Sequence, residues 1–154
     1  MKLLPLLLAL ANLCVMSTVE AAGFKAGVAV RTVTPSPLLP VSGGMGPSSK
    51  ASEKKGDLTV RALALGNTQT QLVIVSSDFL GFPAALGDKV RAQVTWIPSE
   101  HILIGASHTH SAPDCYGFPN GKGGTDADLE YLNFVCDQMA GAIHSALASM
   151  RPAR

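Results

Sequence analysis

Two short apolar, β-rich runs separated by one helical pattern constrain this chain more than any other feature of it. The first run, "TQLVIVSSDF", ends at Phe79, and the second, "HILIGAS", extends from His101 to Ser107. Between them Leu86, Val90 and Val94 fall four apart through "AALGDKVRAQVTW" and so share a helical face. Pro83 suits the first turn of that helix, and "IPSE" breaks it. Strand, helix, strand at this spacing is a βαβ unit, so Leu72 to Ser77 and Ile102 to Ser107 are expected to lie parallel. The continuous apolar run in "HILIGAS" further predicts a strand covered on both faces. Open α/β sheets bind ligands at the carboxyl ends of parallel strands, which places Asp78 and His108 together at such a position.

The flanking segments extend this unit into a mixed sheet. "FKAGVAVRTV", Phe24 to Val33, reads as a strand stopped by the prolines of "TPSPLLP". "DLTVRALALG" is joined to "TQLVIVSSDF" by the short polar "NTQ", as in an antiparallel hairpin. "VSGGMGPSSK" lacks the Gly-Lys-Ser/Thr of a phosphate-binding loop and has no apolar strand running into it, so it reads as a surface or site-edge loop. After the glycine-rich "CYGFPNGKGG", Thr125 and Asp126 are the expected caps of a last helix, with Asp128 and Glu130 favourable in its first turn. Its apolar face reads Leu132, Cys136, Met139, Ile143, Leu147 and Met150, and Pro152 is expected to end it. The fold class is therefore α/β, a mixed β-sheet with a βαβ unit and flanking helices.

The 154 residues, 47% hydrophobic and 15% charged, fit one compact domain. Residues 1–21 stand apart: Lys2, the apolar run Leu3 to Met16, and Ser17 to Ala22 read as a signal peptide. Val19 and Ala21 occupy the small-residue positions before the cleavage site, expected before Ala22. The run is too short, and too interrupted by Pro5 and Asn12, for a retained membrane helix. Leu13 before Cys14 argues against a lipoprotein signal. Secretion or export to the periplasm follows as the expectation, with residues 22–154 as the exported domain. The chain has 12 basic and 11 acidic residues; losing Lys2 and Glu20 leaves 11 and 10, still a net charge of +1. Those scattered charges, mixed in sign through "SSKASEKKGD", give no nucleic-acid footprint. Cys115 and Cys136 remain, either as a disulfide or as independent thiols with Cys136 on the core face of its helix.

The chemistry concentrates in "GASHTHSAPD". In an extended segment residues i and i+2 point to the same side, so His108 and His110 are expected to face one cavity with Thr109 turned away. Neutral imidazole is the commonest protein metal ligand, and a His-x-His pair at a strand end is a recurrent start of a zinc site. A catalytic zinc site needs three or four protein ligands, so others must come from elsewhere. His101 and His144 read as exposed or structurally satisfied. Asp78 reads equally as a cap of its loop, and Asp114 lies too near the pair in sequence to count as a ligand. A weaker likeness to the histidine motif of metallo-β-lactamase-like hydrolases lacks the Asp-His pair which those enzymes carry next, since Ala112 and Pro113 stand there.

"ILIGASHTHSAP" resembles the signature of the neutral/alkaline ceramidases, in which an apolar strand runs into "THTHSGP". The resemblance continues in order along the chain: "AGVAVRTVTP" is similar to the opening strand, "GGMG" to the glycine loop, "LTVRALAL" to the arginine-containing strand and "LVIVSSDFLG" to the strand ending in aspartate. "YLNFVCDQMAGAIHSALASMRPAR" is similar to the helix closing on Pro-Ala-Arg. The resemblance implies a zinc-dependent amidase that hydrolyses the N-acyl bond of ceramide to sphingosine and a fatty acid. It implies that His108 binds Zn2+ and that His110 lies beside metal and substrate as a catalytic residue. A ceramide-like lipid amide is the implied partner, with peripheral contact at the membrane that carries it. The family takes a further histidine, a glutamate and a tyrosine as ligands from downstream segments, so the chain is expected to be the amino-terminal part of a catalytic domain. The rival expectations are a small exported α/β binding domain without catalysis, and a metallo-hydrolase of another amide.

Overall fold

In the computed structural model residues 23–44 and 46–153 are described; the expected signal peptide and its cleavage site lie outside them. The hairpin forms as the sequence suggests. Strand β1 (Lys25–Thr32) pairs antiparallel with β2 (Thr59–Gly66), and β2 with β3 (Gln71–Ser77). The β2–β3 turn is fixed by Asn67, whose side chain accepts from the backbone N–H groups of Gln69 and Thr70. Helix α1 (Ala84–Ala92) then carries the chain across to β4 (Ile102–Ala106), which lies parallel to β3 in the register Val73 to Ile102 through Ser77 to Ala106. Helix α2 (Leu129–Ala148) returns to β5 (Arg151–Pro152), which pairs with Lys25 and Ala26. The sheet order is β4-β3-β2-β1-β5, a mixed sheet containing one βαβ unit.

Both helices cover the same face of this sheet. Val60, Ala62 and Ala64 of β2, Val73 and Val75 of β3, and Ile102 of β4 point into the core against Val90, Leu132, Val135, Met139 and Ile143. The alternate residues point the other way, as the two-residue period of a strand requires. One row of them, Val28, Leu63, Ile74 and Leu103, is aligned by register across four strands. The expectation that "HILIGAS" is covered on both faces is therefore corrected. β4 is a sheet-edge strand with a helical layer on one side only, and Leu103 is 63% exposed.

The helix ends also differ from the sequence reading. Pro83 stands at the N-cap of α1 rather than within its first turn, and the helix stops at Ala92. Val94 is still 3% exposed, placed in the core by the turn after the helix. The cap of α2 is Asp128, which accepts from Tyr131 N, and neither Thr125 nor Asp126 plays that part. Thr125 is held in a bridge with Pro119, and Asp126 accepts from Ser48 N. α2 finishes with Ser149 as its C-cap, before Pro152, which sits in the terminal edge strand where a missing N–H is tolerated. The predicted face of α2 is otherwise correct through Ile143. Leu147 and Met150 are half-buried, and Tyr131, Val135 and three alanines complete the seam.

Small residues set the distance between α2 and the sheet. A Cβ on Gly27 of β1 would overlap the carbonyl of Ala146 and approach Met150 N to 2.8 Å. Ala62 and Ala64 face Ala140, Ala142 and Ala146 in the same buried layer. Tyr131 fixes the other end of the helix, donating its hydroxyl to Val33 O at 2.7 Å. Among the described residues no helix is long and apolar enough to cross a membrane.

Because the obstacle at Gly27 is backbone, it cannot turn aside. Gly27→Ala is expected to destabilise the fold by roughly 3 kcal/mol. Gly56→Ala, where nothing lies within 4 Å of the added carbon, is the control and should be close to neutral. Urea unfolding of the two variants checks the difference.

Candidate functional site

The parallel pairing of β3 and β4 continues one residue beyond the strands, through Ser107 N donating to Ser77 O at 2.9 Å, and Ser77 Oγ donates to Gly105 O. The two chains leave the sheet side by side. His108 then adopts φ 63°, the left-handed region that a non-glycine residue enters at a cost on the order of 1 kcal/mol or more. Its ring is fixed by a 2.6 Å hydrogen bond between Nδ1 and the carbonyl of Leu80, in the loop after β3. A carbonyl oxygen only accepts, so Nδ1 carries a proton, and in the neutral ring Nε2 is the nitrogen with the lone pair.

The extended geometry expected for His108 to His110 is therefore not what forms. The left-handed turn at His108 replaces it, yet the two rings still come together, edge to face with centroids 5.2 Å apart. Thr109 bonds locally, its hydroxyl accepting from Ser111 N. The glycine loop closes on the pair: Ser42 N donates to Ala112 O at 2.8 Å, and a Cβ on Gly43 would lie 3.4 Å from His110 Nδ1. Ser42 and Gly43 thus lie at the edge of the site, with room for a Cβ between Gly43 and the His110 ring. Ser42 itself is 2% exposed.

The segment after the histidines is organised by Asp114, which is 1% exposed. Its carboxylate accepts from the N–H groups of Tyr116 and Phe118, each at 2.8 Å, and of Gly117 at 3.2 Å. Asp114 is thereby a loop organiser and not a ligand. This loop folds back onto the one after β3. Cys115 Sγ donates to Gly81 O, and Tyr116 lies on Gly81 with Phe118 stacked behind it at 5.2 Å. Cys136 instead points at Leu86 O, so the two thiols are separate and no disulfide joins them. Burial pushes the Cys115 thiol up to about 11 and raises that of Cys136 as well, which keeps both protonated at neutral pH.

Asp78 reaches the carboxyl end of β3 as predicted, but its side chain turns toward β2 and away from the histidines. It accepts from Thr59 N and Oγ1 at 2.9 and 2.8 Å and takes a two-pronged contact from Arg61 at 3.1 Å. Partial burial would raise its pKa, and the bonds from Thr59 and Arg61 outweigh that, leaving it below the usual carboxylate range. His101 is satisfied by Gln71 O at 2.8 Å, but His144, expected to be exposed or satisfied, lies tilted against Trp96 with its Nε2 buried and unpaired among the described residues. Both lie apart from the pair, as the sequence suggests.

An apolar cleft of ≈ 430 Å³ adjoins the site. Leu38, Leu39, Val41 and Leu58 line it together with Ser111 and Pro113, the residues that follow His110 and Ala112, and the charged Glu53, Lys54, Lys55 and Asp57 share its lining. His108 and His110 are the right donors for zinc, and a backbone carbonyl holding the second nitrogen of a histidine is the usual support of a metal ligand. The fit stops at donor type and orientation. Among the described residues no group of three His, Cys, Asp or Glu side chains is placed to hold a metal.

No family model matches the chain, and no curated protein matches it in sequence. Solved structures do match. Neutral ceramidase from Pseudomonas aeruginosa superposes with a TM-score of 0.63 at 17% identity, covering 85% of this chain and 22% of that one. A ceramidase complexed with C2 gives 0.64 at 18% identity with the same coverage. This chain has the fold of a region of neutral ceramidase, and spans about a fifth of the length of the enzymes that it resembles.

The sequence reading missed the loop after β3, whose Leu80 carbonyl fixes His108, and the parts played by Asp114 and Tyr116. Asp-x-x-Gly after a proline was the available signal for Asp114, since aspartate bonds backbone N–H groups just ahead of it in tight loops. Nothing in sequence marks a carbonyl as a histidine partner.

Asp78 carries a pH dependence whose sign is fixed. Its folded pKa lies below the unfolded one, so its stabilisation is complete above about pH 4 and is lost as pH falls through the folded value. Asp78→Asn should cost roughly 1–3 kcal/mol at neutral pH. The gap between variant and parent should narrow as the pH falls through the folded value of Asp78, as read by urea titration at neutral and acid pH.

Proposed function

We propose that this chain carries the histidine part of a ceramidase-type zinc amidase site, acting on the N-acyl bond of a ceramide-like lipid amide outside the cytoplasm. The observation that carries the reading is the His108 ring. It is held through Nδ1 by Leu80 O at the carboxyl end of a parallel strand pair, with Nε2 free beside His110. The ceramidase fold supports the same reading, as does the apolar cleft beside Ser111, which suits an alkyl chain.

His108 would hold the metal through Nε2. Zinc, when bound, supplies a water of lowered pKa and polarises the amide carbonyl. His110, whose ring meets that of His108 edge to face, would orient the attacking water or donate to the developing oxyanion. The remaining ligands lie outside the described residues. Entry of a lipid amide into the cleft also calls for peripheral contact with the membrane that carries it.

The rival reading, an exported α/β binding domain without catalysis, is favoured by one fact, that the described residues assemble two imidazoles and no third ligand. Zinc content and hydrolysis of an N-acylsphingosine by the full-length chain decide between them. Stoichiometric zinc and amide cleavage are expected, both lost in His108→Ala. His110→Ala should keep zinc while slowing cleavage on the order of 10²-fold. A stable protein indifferent to zinc and inert toward the amide would establish the binding domain.

A further inference from the structure

The His108 hydrogen bond depends on the position of one peptide, Leu80–Gly81, in a loop with no regular structure of its own. Three contacts from the opposite loop converge on the two residues Leu80 and Gly81. The His108 ring bonds the Leu80 carbonyl, and the Cys115 thiol bonds the Gly81 carbonyl at 3.1 Å. The third is the Tyr116 ring, which occupies the space where any side chain at position 81 would project. A Cβ there would collide with the Tyr116 hydroxyl and lie 2.8 Å from Cζ and 2.9 Å from Cε2. The absence of a side chain at Gly81 is thus what seats the tyrosine.

Tyr116 is not a loosely held surface ring, although it is 49% exposed. Its N–H is bonded to the buried Asp114 carboxylate, and its far face is stacked on Phe118, whose own N–H is bonded to the same carboxylate. The ring is a plate tied to a buried anchor, and it lies against Gly81, the residue next to the carbonyl from which His108 takes its orientation.

We infer that Tyr116 is a positioning residue for His108: seated on Gly81, it holds the Leu80 carbonyl in place and thereby fixes the imidazole as the tautomer with Nδ1 protonated and Nε2 free. A hydrogen-bonded carbonyl sets the tautomer of a histidine ring and the direction of its second nitrogen. A carbonyl that drifts releases both. The tautomer does not depend on the proposed function, whereas the consequence for zinc does rest on it.

Long-range proton–nitrogen NMR of the histidine rings tests this in the full-length, zinc-free chain. His101, which bonds Gln71 O through its own Nδ1 and lies apart from the loop, serves as the internal reference. In the parent protein both rings should show the Nδ1–H pattern. Tyr116→Ala should abolish it at His108 and leave His101 unchanged. Tyr116→Phe, which keeps the plate and removes only the hydroxyl, should restore it. Gly81→Ala, which displaces the ring from the other side, should reproduce the alanine result. Zinc titration should then show affinity weakened about 10- to 100-fold in Tyr116→Ala and Gly81→Ala. An unchanged His108 pattern in both of these variants, with His101 still native, would overturn the inference. Loss of the pattern in a chain that binds no zinc at all would uphold it while refuting the hydrolase reading.

Discussion

The parallel pairing of β4 with β3 is the interaction on which the site depends. A parallel pair brings two carboxyl ends to the same edge of the sheet, and the last bond of the ladder, Ser107 N to Ser77 O, delivers the two exit loops in contact. Everything at the site is an exchange between those loops. The loop after β3 offers the carbonyls of Leu80 and Gly81, and the loop after β4 offers the His108 ring, the Cys115 thiol and the Tyr116 ring. An antiparallel β4 would send its carboxyl end to the other edge and dissolve the arrangement. The pairing in turn rests on α1, whose Val90 is fully buried beside Ile102 and whose Arg91 reaches the Ile102 carbonyl.

The left-handed conformation of His108 is the principal local strain, and its surroundings hold it in place. The ring is bonded to Leu80, the following residues are pinned to Ser42 through Ala112, and Asp114 closes the loop beyond with three N–H groups. A strained residue persists only where its neighbours over-determine it, and such residues gather at functional sites. The buried carboxylate of Asp114 works to the same end. Its charge is solvated by backbone rather than by water, so the loop is rigid without making regular structure.

Much of the fold could be read from the residues because two local signals were clean. The β-rich runs on either side of the polar "NTQ" gave the hairpin, and the four-residue spacing of Leu86 and Val90 gave the crossover helix. What misled was hydrophobicity without context. "HILIGAS" is apolar at every central position, which reads as a strand buried on both faces, but Leu103 lies in an apolar row on the sheet face opposite the helices. The α2 cap slipped from Asp126 to Asp128 because Ser48, nearly eighty residues away, takes the Asp126 carboxylate, a contact no local rule can see. The site divides in the same way. His108 and His110 stood out by type and spacing, while Leu80, Gly81 and Tyr116 matter through backbone position, which composition does not encode.

Under the proposed function, the Nε2 nitrogen of His108 at the carboxyl end of the β3–β4 pair is a zinc ligand. Anomalous diffraction at the zinc edge from crystals of the full-length chain grown with zinc tests it most directly. A peak is expected about 2.0–2.1 Å from His108 Nε2, with Nδ1 still bonded to Leu80 O. A zinc peak confined to other side chains, or a His108 ring turned so that Nδ1 faces the metal, would contradict it.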